Sequence, residues 1–149
     1  MKIRIDVSDE RKEEVIQYLT GHGIEISEDA DFIISEISDN TSFLSVRNDK
    51  KERISLSVDD VVYIESFGKE IEIHTENDVF HSQDRIYMLE QMLDPKIFLR
   101  VSKSVIISRK HVKKIRPSLS MKYILTMSDG TLIDVTRSYY SEFRRFFNI

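Results

Sequence analysis

Phe98-Leu99-Arg100-Val101-Ser102-Lys103-Ser104-Val105-Ile106-Ile107-Ser108 is the most informative stretch of this 149-residue chain. Residues 98–101 and 105–107 read as two short extended pieces, whose apolar members anchor them in a core. Ser102-Lys103-Ser104 lies between them. Arg100, Lys103 and the serines point elsewhere, so the stretch sets cationic and hydroxyl groups on an apolar frame.

Outward from it the pattern stays mainly β. On the C-terminal side, residues 111–115 read as another extended piece, cut off by Pro117. Residues 122–127 and 132–136 alternate around Ser128-Asp129-Gly130-Thr131, and an Asp-Gly pair between alternating runs is a strong hairpin signal. A short amphipathic helix over about 139–147 closes the chain, with Phe143, Phe146 and Phe147 turned inward. On the N-terminal side, Ile86, Leu89 and Leu93 have helical spacing, stopped by Asp94-Pro95. Residues 70–75 alternate strictly and present one face to water, while residues 61–64 form a buried strand closed by Glu65-Ser66-Phe67-Gly68. Residues 43–46 and 54–56 are the preceding strands.

The first residues differ in kind. Ile3, Ile5 and Val7 alternate as a half-buried strand, and Ser8 is the expected N-cap of a helix with Asp9 and Glu10 at its positive end. Val15, Ile16 and Leu19 make its apolar face, and Gly21 or Gly23 supplies the left-handed residue that ends it. Ile24 and Ile26 begin a second extended piece, and residues 32–34 read as a short buried strand. The polar run 38–42 places a boundary there or slightly later. The expected division is a small α/β appendage over 1–50 and a main domain over 54–149. Fewer than about fifty residues barely bury a core of their own, so the appendage is expected to pack on the rest or on a second copy.

Charge is distributed unevenly. The net charge is −4, but the segment from Lys96 onward holds twelve basic and three acidic residues, leaving it at +9 and the remainder at −13. A basic half of this kind suits a polyanion, nucleic acid first. The competing reading is that the two halves neutralise one another internally.

Catalytic chemistry finds little support. Four glycines, at 21, 23, 68 and 130, cannot build a phosphate-cradling loop. Ser102, Ser104 and Ser108 near His111 lack an elbow motif and a positioned acid. Asp59 and Asp60 are adjacent and diverge if they lie on a strand. The N-terminal segment is too short for a phospho-receiver domain. The absence of cysteine removes disulfides and thiolate zinc sites, and four scattered histidines suggest no metal. The expectation is therefore a non-enzyme without metal or cofactor. The N-terminus carries no secretory signal pattern, and no run reaches the ~20 apolar residues that span a bilayer. A cytoplasmic protein without membrane insertion is expected.

The stretch 98–108 resembles the signature of the LytTR family of bacterial transcription regulators. In that signature a phenylalanine, an arginine, a basic or polar residue before a serine, and an apolar run ending in asparagine follow in order. Val61-Val62-Tyr63-Ile64-Glu65-Ser66 resembles the family's opening strand. The helix at 86–93, the Asp129-Gly130 hairpin and Val135-Thr136-Arg137-Ser138-Tyr139 fall in corresponding places. The resemblance covers residues 54–149. Ser108 stands where asparagine is usual and Thr136 where serine is usual, and Ser118-Leu119-Ser120 lacks a glycine often found in that turn.

The resemblance implies a mostly antiparallel, sandwich-like β domain that inserts loops into successive major grooves of double-stranded DNA. It implies base contacts from the loop around Lys69, from Lys103 and from Arg137. Lysine and arginine suit this role because they donate to guanine O6 and N7. Arg100, Ser102, Ser104, Lys110, Lys113, Lys114 and Arg116 are the candidate phosphate contacts, which set register without reading sequence. Plainer roles stay open: Arg100 as a tie between loop and carboxylate, Lys103 and Lys69 as solvated lysines, Arg137 as a helix-start or phosphate residue. The expected protein is a promoter-binding regulator, acting as a homodimer on repeated half-sites, with the N-terminal segment available to a regulatory protein. A rival is a protein–protein module whose basic half docks an acidic partner.

Overall fold

The computed structural model describes residues 1–36 and 40–149. The chain forms two compact units, Met1–Asp39 and Asn40–Ile149. Ser38 and Asp39, the start of the polar run expected to mark the boundary, lie outside the described residues.

In the first unit β1 (Lys2–Asp6) is central, with β2 (Glu25–Ile26) and β3 (Phe32–Ser35) paired parallel on its two sides. Helix α1 (Asp9–Gly21) supplies the crossover that parallel strands require. Ile3 and Leu19 are buried. The left-handed residue after the helix is Gly23, at φ 75°. Ser8 stands at the N-cap of α1, as expected, but its side chain accepts no capping hydrogen bond; its N–H and hydroxyl both donate to Glu36 Oε1, at 3.0 and 2.7 Å. Strand β3 forms, yet Phe32 and Ile33 are 60% and 49% exposed. An apolar run reports strand propensity, and burial needs a covering layer as well.

The second unit is mainly β and mostly antiparallel. Its large sheet has the order β5-β4-β8-β7-β6-β10-β9, made from β4 (Phe43–Arg47), β5 (Arg53–Ser57), β6 (Tyr63–Phe67), β7 (Glu70–His74), β8 (Val79–Ser82), β9 (Phe98–Arg100) and β10 (Val105–Ser108). A second sheet contains β11 (Val112–Ser118), β12 (Lys122–Met127) and β13 (Leu132–Val135). Strand β4, counted above with the appendage, pairs with β5 and β8 inside this unit.

Two cores flank the large sheet. On one side Ile64, Ile71, Ile73 and Ile106 pack with Leu89 and Leu93 from α2 (Ile86–Met92) and its C-terminal flank. On the other, Tyr63, Val105 and Ile107 pack with Leu125, Met127, Ile133 and Val135 of the second sheet and Phe143 of α3 (Tyr140–Phe147). Strand β10 is therefore buried on both faces, which explains its unbroken apolar run. Strand β7 alternates as expected, with Ile71 and Ile73 buried and Glu72 and His74 half-exposed. Strand β11 continues through Pro117 rather than stopping before it. Among the described residues it is an edge strand, paired only with β12, so an imino residue there costs the sheet little.

Candidate nucleic-acid interface

Three connections meet at one end of the larger unit. The β9–β10 connection, residues 101–104, is the middle one. It is closed by Val101 N–H donating to Val105 O at 3.0 Å. On one side, Ser66 N–H donates to Ser104 O at 2.8 Å, drawing in the end of β6 and the Gly68-Lys69 turn behind it. On the other, Thr136 N–H donates to Val101 O at 3.0 Å, with its hydroxyl at 3.4 Å from the same oxygen. Arg137 follows directly and opens the short 3-10 turn that leads into α3. Lys69, Lys103 and Arg137 thus project from three connections tied through the backbone of the middle one.

The middle loop is also braced from within. Arg100 Nε donates to Ser102 O at 3.2 Å, and Arg100 Nη2 donates to Lys103 O. Its Nη1 lies 3.5 Å from Glu90 of α2. Ser104 N–H donates to Ser102 Oγ at 3.3 Å, and the two hydroxyl oxygens are 3.4 Å apart. Arg100 is therefore engaged as a tie between loop and carboxylate, the plainer of its two readings. The Lys103 side chain makes no hydrogen bond or ion pair with another described residue.

The other basic candidates are spread out. Lys110 sits past the opposite end of β10, where its Nζ pairs with Asp59 at 2.9 Å. His111 beside it hydrogen-bonds Ser128 Oγ through Nδ1, at 2.9 Å, and Asp59 O through Nε2, at 2.8 Å. Lys113, Lys114 and Arg116 are exposed along β11. Arg116 pairs with Ile124, toward the end where Lys122 and Tyr123 begin β12, whereas Lys114 pairs with Thr126. Tyr123 pairs with Val135, so this end of the second sheet leads to Thr136 and Arg137. The structure does not bring Lys110 to the three loops. Glu90 with Arg100 and Asp59 with Lys110 also realise, at two sites, the internal neutralisation that the uneven charge allowed.

Residues 51–148 match the family model of the LytTr DNA-binding domain. The chain belongs to this family.

The sensory transduction protein LytT of Bacillus anthracis is 26% identical over 96 residues, covering 64% of this chain and 39% of that protein. The transcriptional regulatory protein LytR of Staphylococcus aureus (strain bovine RF122 / ET3-1) is 27% identical over 116 residues, 77% of this chain and 47% of that one. The chain thus spans less than half the length of these relatives. The LytTr DNA-binding domain of a Bacillus cereus protein described as a methyl-accepting/DNA response regulator shares the fold, with a TM-score of 0.69 at 24% identity. That alignment covers 74% of this chain and 100% of the solved domain. The LytTr match begins within the β4–β5 turn, so β4 lies before it and still belongs to the same sheet. Among the described residues no helix is long and apolar enough to cross a membrane.

Proposed function

We propose that this LytTr chain is a sequence-specific DNA-binding regulator of transcription, reading promoter DNA through the three joined connections. The observation that carries the reading is the pair of backbone hydrogen bonds, Ser66 to Ser104 and Thr136 to Val101, that hold Lys69, Lys103 and Arg137 on one frame. A frame of this kind supports base recognition because donors must meet base edges at fixed spacing. Lys103 and Arg137 read bases, with Lys69 at the outer loop. The hydroxyls of Ser102 and Ser104, and Arg116 on β11, serve phosphates. Lys113 and Lys114 contribute to the same field from farther along the strand. Two copies act together on repeated half-sites, and the first unit mediates pairing or receives a regulatory protein.

Selection from a randomised duplex pool tests the reading, repeated with Lys103→Ala and Arg137→Ala. An enriched repeat, relaxed at one position by each substitution, is the expected outcome. Binding that follows salt alone, without enrichment, would leave a protein-docking surface as the better account.

A further inference from the structure

The Gly68-Lys69 turn forms one wall of a cleft whose other wall is the connection from β8 to α2. Register produces this neighbourhood. Ile71 pairs with Ser82, so the chain leaving β8 passes beside Lys69. The cleft holds about 350 Å³ and takes its polar lining from Ser66, Lys69, Gln83, Arg85 and Tyr87, with no carboxylate among the lining residues. Neither Lys69 nor Arg85 has a described carboxylate within ion-pair distance. Arg100 and Lys110 contrast with them, being engaged by Glu90 and Asp59. Ser66 is also the residue tied to Ser104, so the cleft adjoins the Lys103 loop.

Two unpaired cations among neutral donors suit an anion that only accepts hydrogen bonds, and a phosphodiester is such an anion. We propose that Arg85, with Lys69 and Gln83, grips a DNA backbone phosphate flanking the bases read by the Lys103 loop. The assignment rests on the DNA-binding reading above and adds a contact element on the β8–α2 connection. It gives Arg85 a register-setting role and no share in base discrimination. It also gives Lys69 a partner in phosphate binding, whatever its share in base reading.

The test uses the full chain, the selected duplex and a scrambled duplex of equal length, each titrated over a range of salt. Arg85 is exposed and precedes α2 without a side-chain cap, so its replacement leaves the helix start intact. Arg85→Ala is expected to weaken both duplexes by the same factor and to reduce the slope of log affinity against log salt by about 0.9. Arg85→Lys, which keeps the charge, restores most of that slope. An unchanged slope and affinity in Arg85→Ala overturns the phosphate grip, and so does a loss confined to the selected duplex. A wild-type protein that does not distinguish the two duplexes overturns the sequence-reading proposal itself, and is told apart by needing no variant.

Discussion

Arg100 donates to the carbonyl of Lys103, three residues along, and so closes the loop that presents the Lys103 side chain. With Nε on Ser102 O and Nη1 toward Glu90, one guanidinium holds loop and helix together. Lysine keeps the charge but lacks the planar fork that reaches several acceptors at once. Arg100→Lys is therefore expected to lower affinity for the selected duplex more than for a scrambled one. Equal losses on both would mark Arg100 as an ordinary phosphate contact; paired binding titrations decide.

For the base contacts the expected magnitude follows from donor chemistry. Lys103→Ala and Arg137→Ala should each remove about 1–3 kcal/mol of discrimination at a single base pair, leaving other positions selected as before. Competition between the selected site and its single-base variants measures this directly.

Lys110 offers a contrast. Its partner Asp59 lies beyond the opposite end of β10, and the side chains are 52% and 68% exposed. An exposed pair of this kind contributes about 0–1 kcal/mol to stability. Lys110→Ala is expected to leave both the salt slope of DNA binding and the enriched motif unchanged, whereas Arg116→Ala lowers the slope. A clear fall in slope for Lys110→Ala would bring that end of the sheet into the interface.

Phe143 anchors α3 against the second core. It is fully buried, with ring centroids 5.1 Å from Tyr123 and 4.7 Å from Phe147. Phe143→Ala should destabilise the larger unit by about 3–5 kcal/mol, the transfer loss plus the cavity left behind. Urea unfolding followed by circular dichroism gives the number. A change below about 1 kcal/mol would mean that the helix repacks without it.

The first unit has its own pH dependence. The Ser8 hydroxyl, with the Ser8 N–H as the next cause, holds the Glu36 carboxyl below its ordinary 4.5. A carboxyl depressed in the folded state stabilises above its unfolded value, and that contribution fades as pH falls through the folded one. Amide exchange at Ser8 should accelerate, relative to the intrinsic rate, on acidification below about 4.5, the ordinary value. Glu36→Gln should remove that dependence. A Ser8 protection that does not respond to acid in the wild type contradicts the link.

Much of the larger unit was legible because its signals are local or periodic. The alternation at 70–74, the apolar run of β10, the Asp129-Gly130 turn and the α2 spacing each read correctly from neighbours in the chain. What escaped reading was set by distant residues. Ser8 reads correctly as the N-cap residue, but nothing local reveals that Glu36, 28 positions away, accepts from both its N–H and its hydroxyl. Pro117 looked like a strand breaker because nothing local reveals that β11 is an edge. Asp59 claims Lys110 across 51 positions. Arg85 carried no motif at all, and only the β7–β8 register brings it beside Lys69. For the candidate interface, residue type was legible and availability was not, because availability depends on which carboxylates fold nearby.

The middle loop is hydrogen-bonded to a neighbour on each side, and its two flanking strands are both paired to the core sheet. On the proposed reading, Lys103 and Arg137 would work as marks on a ruler. DNA offers its bases about 3.4 Å apart along each strand. A ruler absorbs a wrong base under one mark as a local loss, but an extra base pair between the marks displaces every contact beyond it. Operators of this protein should therefore vary in letter far more freely than in length.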